Sequence, residues 1–249
     1  MDPHDYALAH VLEHGVDAFT HLDLKVPKSI WMLLRRPGRL EAMYLEGRRV
    51  QWARPFQLFV LVNVFYYAAA AAMHLNTFQT SLRIHTSATP YAAWASARAT
   101  AHAASLGVSM DAYAARFDAV AHTLSKTLII ALVPMLALLL AALFWKRRRY
   151  ILEHFYVALF WVTRALILLV LPFPLVLLIM NATGAPGDSA WTLLTFAVFS
   201  VVSWLVFQRV YGGRAWTNGL RAVGMCFGFY MLLLFAYRPL LFVIASWLI

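Results

Sequence analysis

The chain has few charged residues, few acids and a single cysteine. Only 13% of its 249 residues are charged, where a typical soluble domain carries about 25%. Asp and Glu number 11 against 21 Lys and Arg, and 62% of the residues are hydrophobic. A chain this apolar would expose too much hydrocarbon in water, so its solvent is lipid. Cys226 alone excludes an intramolecular disulfide and any Cys-x-x-Cys metal site.

Several functional signatures are also missing from the sequence. We find no P-loop, no nucleophile elbow, no Ser-His-Asp order and no paired intramembrane carboxylates, so we expect a protein that is not an enzyme. The net charge of +10 lies beside apolar stretches rather than on a recognition helix. This placement indicates anionic lipid headgroups as the partner and excludes nucleic acid.

Hydropathy predicts an all-α integral membrane protein with five transmembrane helices. Residues 1–54 form a cytoplasmic segment of amphipathic and basic interfacial helices, broken at Pro37-Gly38. Residues 55–248 form the transmembrane domain, in which residues 74–125 are a partly helical periplasmic loop. Ser109 is the expected N-cap of a helix that starts near Met110 and continues into the second span. The five spans cover residues 55–73, 126–145, 155–180, 191–211 and 223–248.

The distribution of Lys and Arg predicts the orientation of the spans. Three basic segments flank them: the stretch before span one, residues 146–149 and residues 209–221. With five spans all three fall on one side of the membrane, which places the N-terminus in the cytoplasm and the C-terminus in the periplasm. The first 23 residues lack a basic region and an apolar core, so they do not form a secretory signal.

Two arginines within the spans are the leading binding candidates. Arg164 lies in span three and Arg238 in span five, where a guanidinium requires a partner or water. No Asp or Glu lies within any span as drawn, so these arginines indicate an anionic ligand such as a phosphate, a carboxylate or a lipid headgroup. The alternative is that each snorkels or donates to a backbone carbonyl freed by a nearby proline.

Other polar residues form weaker patterns. The lipid-headgroup candidates are Arg35, Arg36, Arg39, Arg48, Arg49 and Arg54. A stripe at helical spacing, at the outer end of span two, joins Asp118, His122 and Lys126, for which interfacial solvation is the alternative. The candidate metal ligands are His10, His14, His21, Glu153 and His154, for which a solvated polar face is the alternative. We therefore expect no cofactor, with a divalent metal as the alternative.

Several blocks of sequence together resemble a known family. They are His21-Leu22-Asp23, Leu34 to Gly38, Tyr44 to Arg49, Arg54 to Leu58, His122 and Lys126, Pro134, and Arg147 to His154. These residues are similar to an uncharacterised bacterial inner-membrane family, domain of unknown function 3667, over residues 10 to 160. The resemblance implies an inner-membrane location and no established activity. Many members begin with a zinc ribbon, which this chain lacks.

These observations leave three hypotheses for function. The first is an inner-membrane transport or channel-like component for an anionic solute or lipid phosphate. The second is a non-catalytic membrane scaffold or accessory protein, with Gly224 and Gly228 at a helix–helix contact. The third is a membrane metal-binding protein or metalloenzyme that uses the histidines. Five spans make a small bundle, so we expect a homo-oligomer or a membrane partner protein.

Overall fold

A computed structural model describes residues 25–73, 78–147, 150–171 and 187–249, the side chains of 187–191 excepted. Within these residues the chain is helical and contains no strand. The helices, in chain order, are α1 (Lys25–Arg35), α2 (Arg39–Leu45), α3 (Pro55–Ala72), α4 (Leu82–Ser87), α5 (Ala92–Ser105), α6 (Met110–Leu128), α7 (Leu132–Leu143), α8 (Ile151–Val170), α9 (Gly187–Val210), α10 (Ala215–Leu232) and α11 (Arg238–Trp247).

Among the described residues, five helical segments are long and apolar enough to cross a membrane, which confirms the predicted fold class. They are Pro55–Ala72, Met110–Leu143, Ile151–Val170, Thr192–Val210 and Ala215–Trp247. The second segment runs for 34 residues, because α6 continues through a 3₁₀ turn at Ile129–Ala131 into α7. Its start also confirms the predicted cap, since the Ser109 hydroxyl accepts from the Ala112 N–H.

The spans form one bundle. Span three, α8, packs against span one and against α7, and span four packs along span five. The α10 part of span five packs on α7, whereas α11 packs on α6. Helices α4 and α5 cover the junction of α6 and α11, so the loop predicted between spans one and two is a small helical cap.

The three basic segments that the sequence analysis placed on one side of the membrane lie together at one end of the bundle. Arg147 donates to the Gly212 carbonyl, and Arg209 donates to the Pro37 carbonyl at 2.7 Å. We name this the basic end. Because span five begins at Ala215 beside it, Trp247 lies at the opposite end.

Helices α1 and α2 form a hairpin that is inserted against spans three and four. Leu33 and Leu40 are fully buried. The predicted break at Pro37-Gly38 is present, and Gly38 has a φ of +81°. A Cβ at Gly38 would lie 2.9 Å from the Val206 Cα, so the Pro-Gly turn touches the backbone of span four.

Span five is interrupted near its far end. Leu233–Tyr237 forms one π-helical turn, and Arg238 and Pro239 follow it directly. Pro239 has no N–H to donate to the helix, and π-turns of this kind occur frequently at functional sites. The interruption sets the position of Arg238.

Candidate functional site

The basic end carries the predicted lipid-contacting arginines. All six of them are exposed: Arg35, Arg36, Arg39, Arg48, Arg49 and Arg54. Two are held by neighbours, since Arg35 lies 5.3 Å from the Trp31 ring and Arg48 forms an exposed ion pair with Glu46. Of the six, Arg54 directly precedes the first residue of span one.

A cavity of about 510 Å³ opens among these residues. We name it the basic cavity; it is lined by Lys25, Val26, Tyr44, Arg49, Val50, Trp52, Ala53, Arg54 and Gln57. Among the described residues that line it, three are cations and none is an acid. Its volume lies within the range of small-ligand sites, about 300–1,000 Å³.

Within the part of the chain that the structure describes, one buried donor of the basic cavity has no hydrogen-bond partner. Trp52 is 6% exposed, and its Nε1–H makes no hydrogen bond. The Lys28 ammonium lies over the same ring, 4.9 Å from its centroid. Because buried polar groups are nearly always satisfied, this unpaired indole N–H marks Trp52 among the residues that line the cavity.

Arg49 is also held in place at the cavity wall. Its Nε donates to the Tyr44 carbonyl at 3.1 Å, and its guanidinium lies over the rings of Tyr44 and Tyr156. Burial raises the pKa of Tyr44, an effect that Arg49 opposes, so Tyr44 stays a neutral phenol. A guanidinium fixed in this way loses less conformational freedom when it binds an anion.

Arg164, which we predicted to bind an anionic ligand, has an acid of the chain as its partner. Arg164 forms an ion pair with Glu41, and its Nε donates to the Leu33 carbonyl at 3.0 Å. Both residues are 1% exposed. The acid comes from the inserted hairpin rather than from a span, which is why counting acids within the spans missed it.

Arg238 lies in a different cluster from Arg164. It is half-buried near the opposite end, where its charge acts on His85 and Tyr91. His85 is fully buried, and its Nδ1 lies 2.9 Å from the Tyr91 hydroxyl. Burial, with a smaller contribution from Arg238, lowers the pKa of His85 to about 4, whereas burial raises the pKa of Tyr91 to about 12.

The predicted stripe of Asp118, His122 and Lys126 divides into separate roles. Asp118 accepts from the Leu82 N–H at 2.7 Å and so caps α4. His122 is exposed, and the Lys126 carbonyl accepts from the Asn63 side chain at 3.1 Å. Asp118 therefore acts through its side chain at the start of α4, whereas Lys126 contributes its backbone carbonyl to a contact with span one.

The carbonyls near the 3₁₀ turn of span two form a polar cluster that sequence reasoning missed. The Ser125 carbonyl accepts from the hydroxyls of Tyr67, at 2.7 Å, and Tyr237, at 3.4 Å. The helix narrows to a 3₁₀ turn before Pro134, which changes the pairing of its backbone hydrogen bonds, and polar side chains of spans one and five bind the carbonyls of this region. The presence of a proline within an apolar span was the sequence signal that could have predicted these free carbonyls.

The predicted metal-binding residues fall into two groups. His10, His14 and His21 lie outside the described residues. His154 is buried, with its Nδ1 2.8 Å from the Tyr211 hydroxyl, and Glu153 precedes it at the start of α8. Within the described ranges, no group of three or more His, Cys, Asp or Glu side chains could hold a metal ion.

The Gly224 and Gly228 pattern makes a contact inside the bundle. A Cβ at Gly228 would lie 2.9 Å from a methyl carbon of Leu139, whereas one at Gly224 would meet nothing within 4 Å. Gly228 therefore lets span five approach α7 of the same chain.

Comparison with known proteins supports the resemblance drawn from the sequence. Residues 23–67 match the family model of a protein of unknown function, DUF3667. This is the DUF3667 segment. It comprises the inserted hairpin, every residue that lines the basic cavity and the greater part of span one. No curated protein and no solved structure matches the chain.

Proposed function

We propose that this membrane protein binds the phosphate of an anionic lipid in the basic cavity of its DUF3667 segment. The observation that carries the proposal is the buried, unpartnered Nε1–H of Trp52 in a cavity ringed by Lys25, Arg49 and Arg54. A phosphate supplies several acceptor oxygens and negative charge to one such site.

The position of the cavity favours a lipid as the source of the phosphate. Span one begins at Pro55, and Arg54 and Gln57 of its first turn line the cavity. The first N–H groups of a helix have no partner within the helix, and the helix dipole is positive at this end. The site thus lies beside the first turn of span one, and in this proposal that level is the level of the phospholipid headgroups.

Arg164 has no part in this binding step. Its guanidinium is committed to Glu41 and Leu33, so the anion first expected at Arg164 is assigned to the basic cavity instead. We infer further that the protein handles the bound anion by a transport or channel-like activity. Arg238, half-buried near the opposite end of span five, supplies a second cation for that activity.

The binding step is tested with the full chain in nanodiscs. Nanodiscs of phosphatidylcholine alone are compared with nanodiscs that also contain phosphatidic acid, and bound lipid is counted by native mass spectrometry. Trp52→Phe keeps an aromatic side chain but removes the indole N–H, and should weaken phosphatidic acid binding about tenfold, since a hydrogen bond to a charged group is lost. Removing two of the three cations with Arg49→Gln and Arg54→Gln should weaken it at least as much.

A matched control separates the cavity from general surface charge. Arg36→Gln removes an exposed arginine of the same basic end that does not line the cavity, and should change binding less than threefold. Equal losses for Arg36→Gln and Arg49→Gln would contradict a specific site. Displacement of the lipid by millimolar inorganic phosphate would identify a soluble phosphate as the ligand.

Transport is tested separately in sealed vesicles. Flux of the anion, or exchange of labelled phosphatidic acid between leaflets, should fall with Arg238→Gln while binding in the basic cavity is retained. Flux equal to that of empty vesicles would remove the transport proposal and leave the binding proposal intact.

A further inference from the structure

A second cavity lies at the end of the bundle opposite the basic end. Its volume is about 500 Å³. We name it the tryptophan cavity; it is lined by Trp94, Ala97, Arg98, Ala101, His102, Ser105, Ser246 and Trp247. It shares no lining residue with the basic cavity, and a claim about it does not depend on the function proposed above.

The shape of the tryptophan cavity comes from one face of α5 and the end of span five. Trp94, Arg98 and His102 follow one another at helical spacing, and the small side chains of Ala97 and Ala101 form the floor between them. The Trp94 ring is fixed edge-on against Phe242 at 5.3 Å, whereas Trp247 is 83% exposed. The two indoles thus lie on either side of alanine side chains that are small enough to let a flat ring approach the helix.

Polar side chains also line this cavity. Among the described residues, the hydroxyl of Ser246, which is 5% exposed, has no hydrogen-bond partner. The Nδ1 of His102 lies 3.2 Å from the Tyr113 hydroxyl, which leaves Nε2 as the ring nitrogen for a ligand. The Ser105 hydroxyl donates to the His102 carbonyl. Arg98 is exposed on the same face and supplies a cation with several donors. No Asp or Glu is among the described lining residues.

These features select one class of ligand. Indole faces pack against apolar ring surfaces, the guanidinium pairs with a carboxylate or a phosphate, and the Ser246 hydroxyl with the imidazole matches a ligand rich in hydroxyl groups. We propose that the tryptophan cavity binds an acidic sugar, a hydroxylated ring that carries a carboxylate or a phosphate. The sugar is either free or the headgroup of a glycolipid.

Titration of the full chain in phosphatidylcholine nanodiscs tests this proposal. Glucuronate and glucose 6-phosphate are the probes, and binding is followed by saturation-transfer NMR and calorimetry. Both should bind at least about tenfold more tightly than glucose, because glucose leaves Arg98 without a charged partner. Arg98→Gln should remove this preference, and Ser246→Ala should weaken both probes without abolishing binding.

Control variants and ligands make the test decisive. Arg83→Gln removes an exposed arginine of the neighbouring helix α4 that does not line the cavity, and should leave binding unchanged. Equal affinity for glucose and glucuronate would overturn the proposal, as would equal affinity for benzoate, which has the acid but no hydroxyl groups. Retained preference in Arg98→Gln would overturn it as well.

The source of the sugar is resolved by the form in which it is presented. If nanodiscs that contain a glucuronosyl diacylglycerol prevent glucuronate binding in the wild type, the site takes a lipid headgroup. If the glycolipid has no effect while free glucuronate binds, the ligand is a soluble sugar. Failure of both forms to bind would overturn the proposal, whatever the result at the basic cavity.

Discussion

Arg164 in span three and Glu41 in the inserted hairpin form a buried ion pair between residues 123 positions apart in the sequence. Glu41 Oε2 and Arg164 Nη1 are also buried and have no hydrogen-bond partner. A buried pair gains its stability only when both charges are present, because each alone pays the full cost of leaving water. The pair therefore fixes the hairpin, and with it the basic cavity, against the bundle.

Loss of one charge of this pair should cost more than loss of both. Glu41→Gln alone leaves the Arg164 guanidinium buried without its counter-charge, and should reduce the free energy of unfolding by about 3–5 kcal/mol. The double variant Glu41→Leu with Arg164→Met should recover much of that loss. Thermal unfolding in detergent, followed by circular dichroism, measures the difference. A double variant less stable than either single variant would contradict this account.

Gly38 and Gly47 provide a matched pair for the Pro-Gly turn. Both have positive φ angles, +81° and +82°, but only Gly38 lies against the backbone of span four. Gly47→Ala should cost about 1 kcal/mol from its backbone conformation alone. Gly38→Ala adds the clash with Val206 and should cost about 3 kcal/mol or more. Equal losses in unfolding free energy would show that the close approach is not needed.

Removal of the Asp118 carboxylate should loosen α4. Asp118→Ala leaves the Leu82 N–H without its acceptor and should cost about 1–2 kcal/mol of local stability. Hydrogen exchange across residues 82–87 reports the change directly. Asp118→Asn keeps an oxygen at the same position and serves as the control. Faster exchange for Asn than for Ala would exclude the capping role.

His85 should make the stability of the helical cap depend on pH. Its pKa is about 4 in the folded protein and about 6.5 when unfolded, so the unfolded chain binds more protons between those values. Stability should fall as the pH is lowered from about 6.5 towards 4. In His85→Gln this contribution is absent, so the melting temperature should depend less steeply on pH across that window. The same slope in both proteins would contradict a buried neutral His85.

The sequence is sufficient to predict those parts of the fold that follow from local patterns. Apolar length identified the spans, Pro37-Gly38 identified the break in the hairpin, and Ser109 identified the start of the long helix. The clustering of Lys and Arg identified the common side of three segments that Arg147 and Arg209 bring together. Each of these signals lies within a few residues of the feature it predicts.

Contacts between distant segments could not be predicted in this way. Glu41 lies before the first span, so only the depth to which the hairpin is inserted reveals it as the partner of Arg164. The sequence alone gives no reason to distinguish Trp52 from an ordinary interfacial tryptophan. The structure shows that its indole N–H is buried and that Trp52 lines the same cavity as Arg49 and Arg54. The tryptophan cavity likewise requires α5 and the end of α11 to be neighbours, although they are more than a hundred residues apart.

The length of Met110–Leu143 has a mechanical consequence. Its 34 residues extend ~51 Å, whereas the hydrocarbon core is ~30 Å thick, so ~20 Å of the segment extends beyond the core. Because α6 and α7 form one helical segment, a rotation of α6, against which α4, α5 and α11 pack, would also rotate α7 within the lipid. The 3₁₀ turn at Ile129–Ala131 connects the two helices, and the hydroxyls of Tyr67 and Tyr237 bind the Ser125 carbonyl one turn before it.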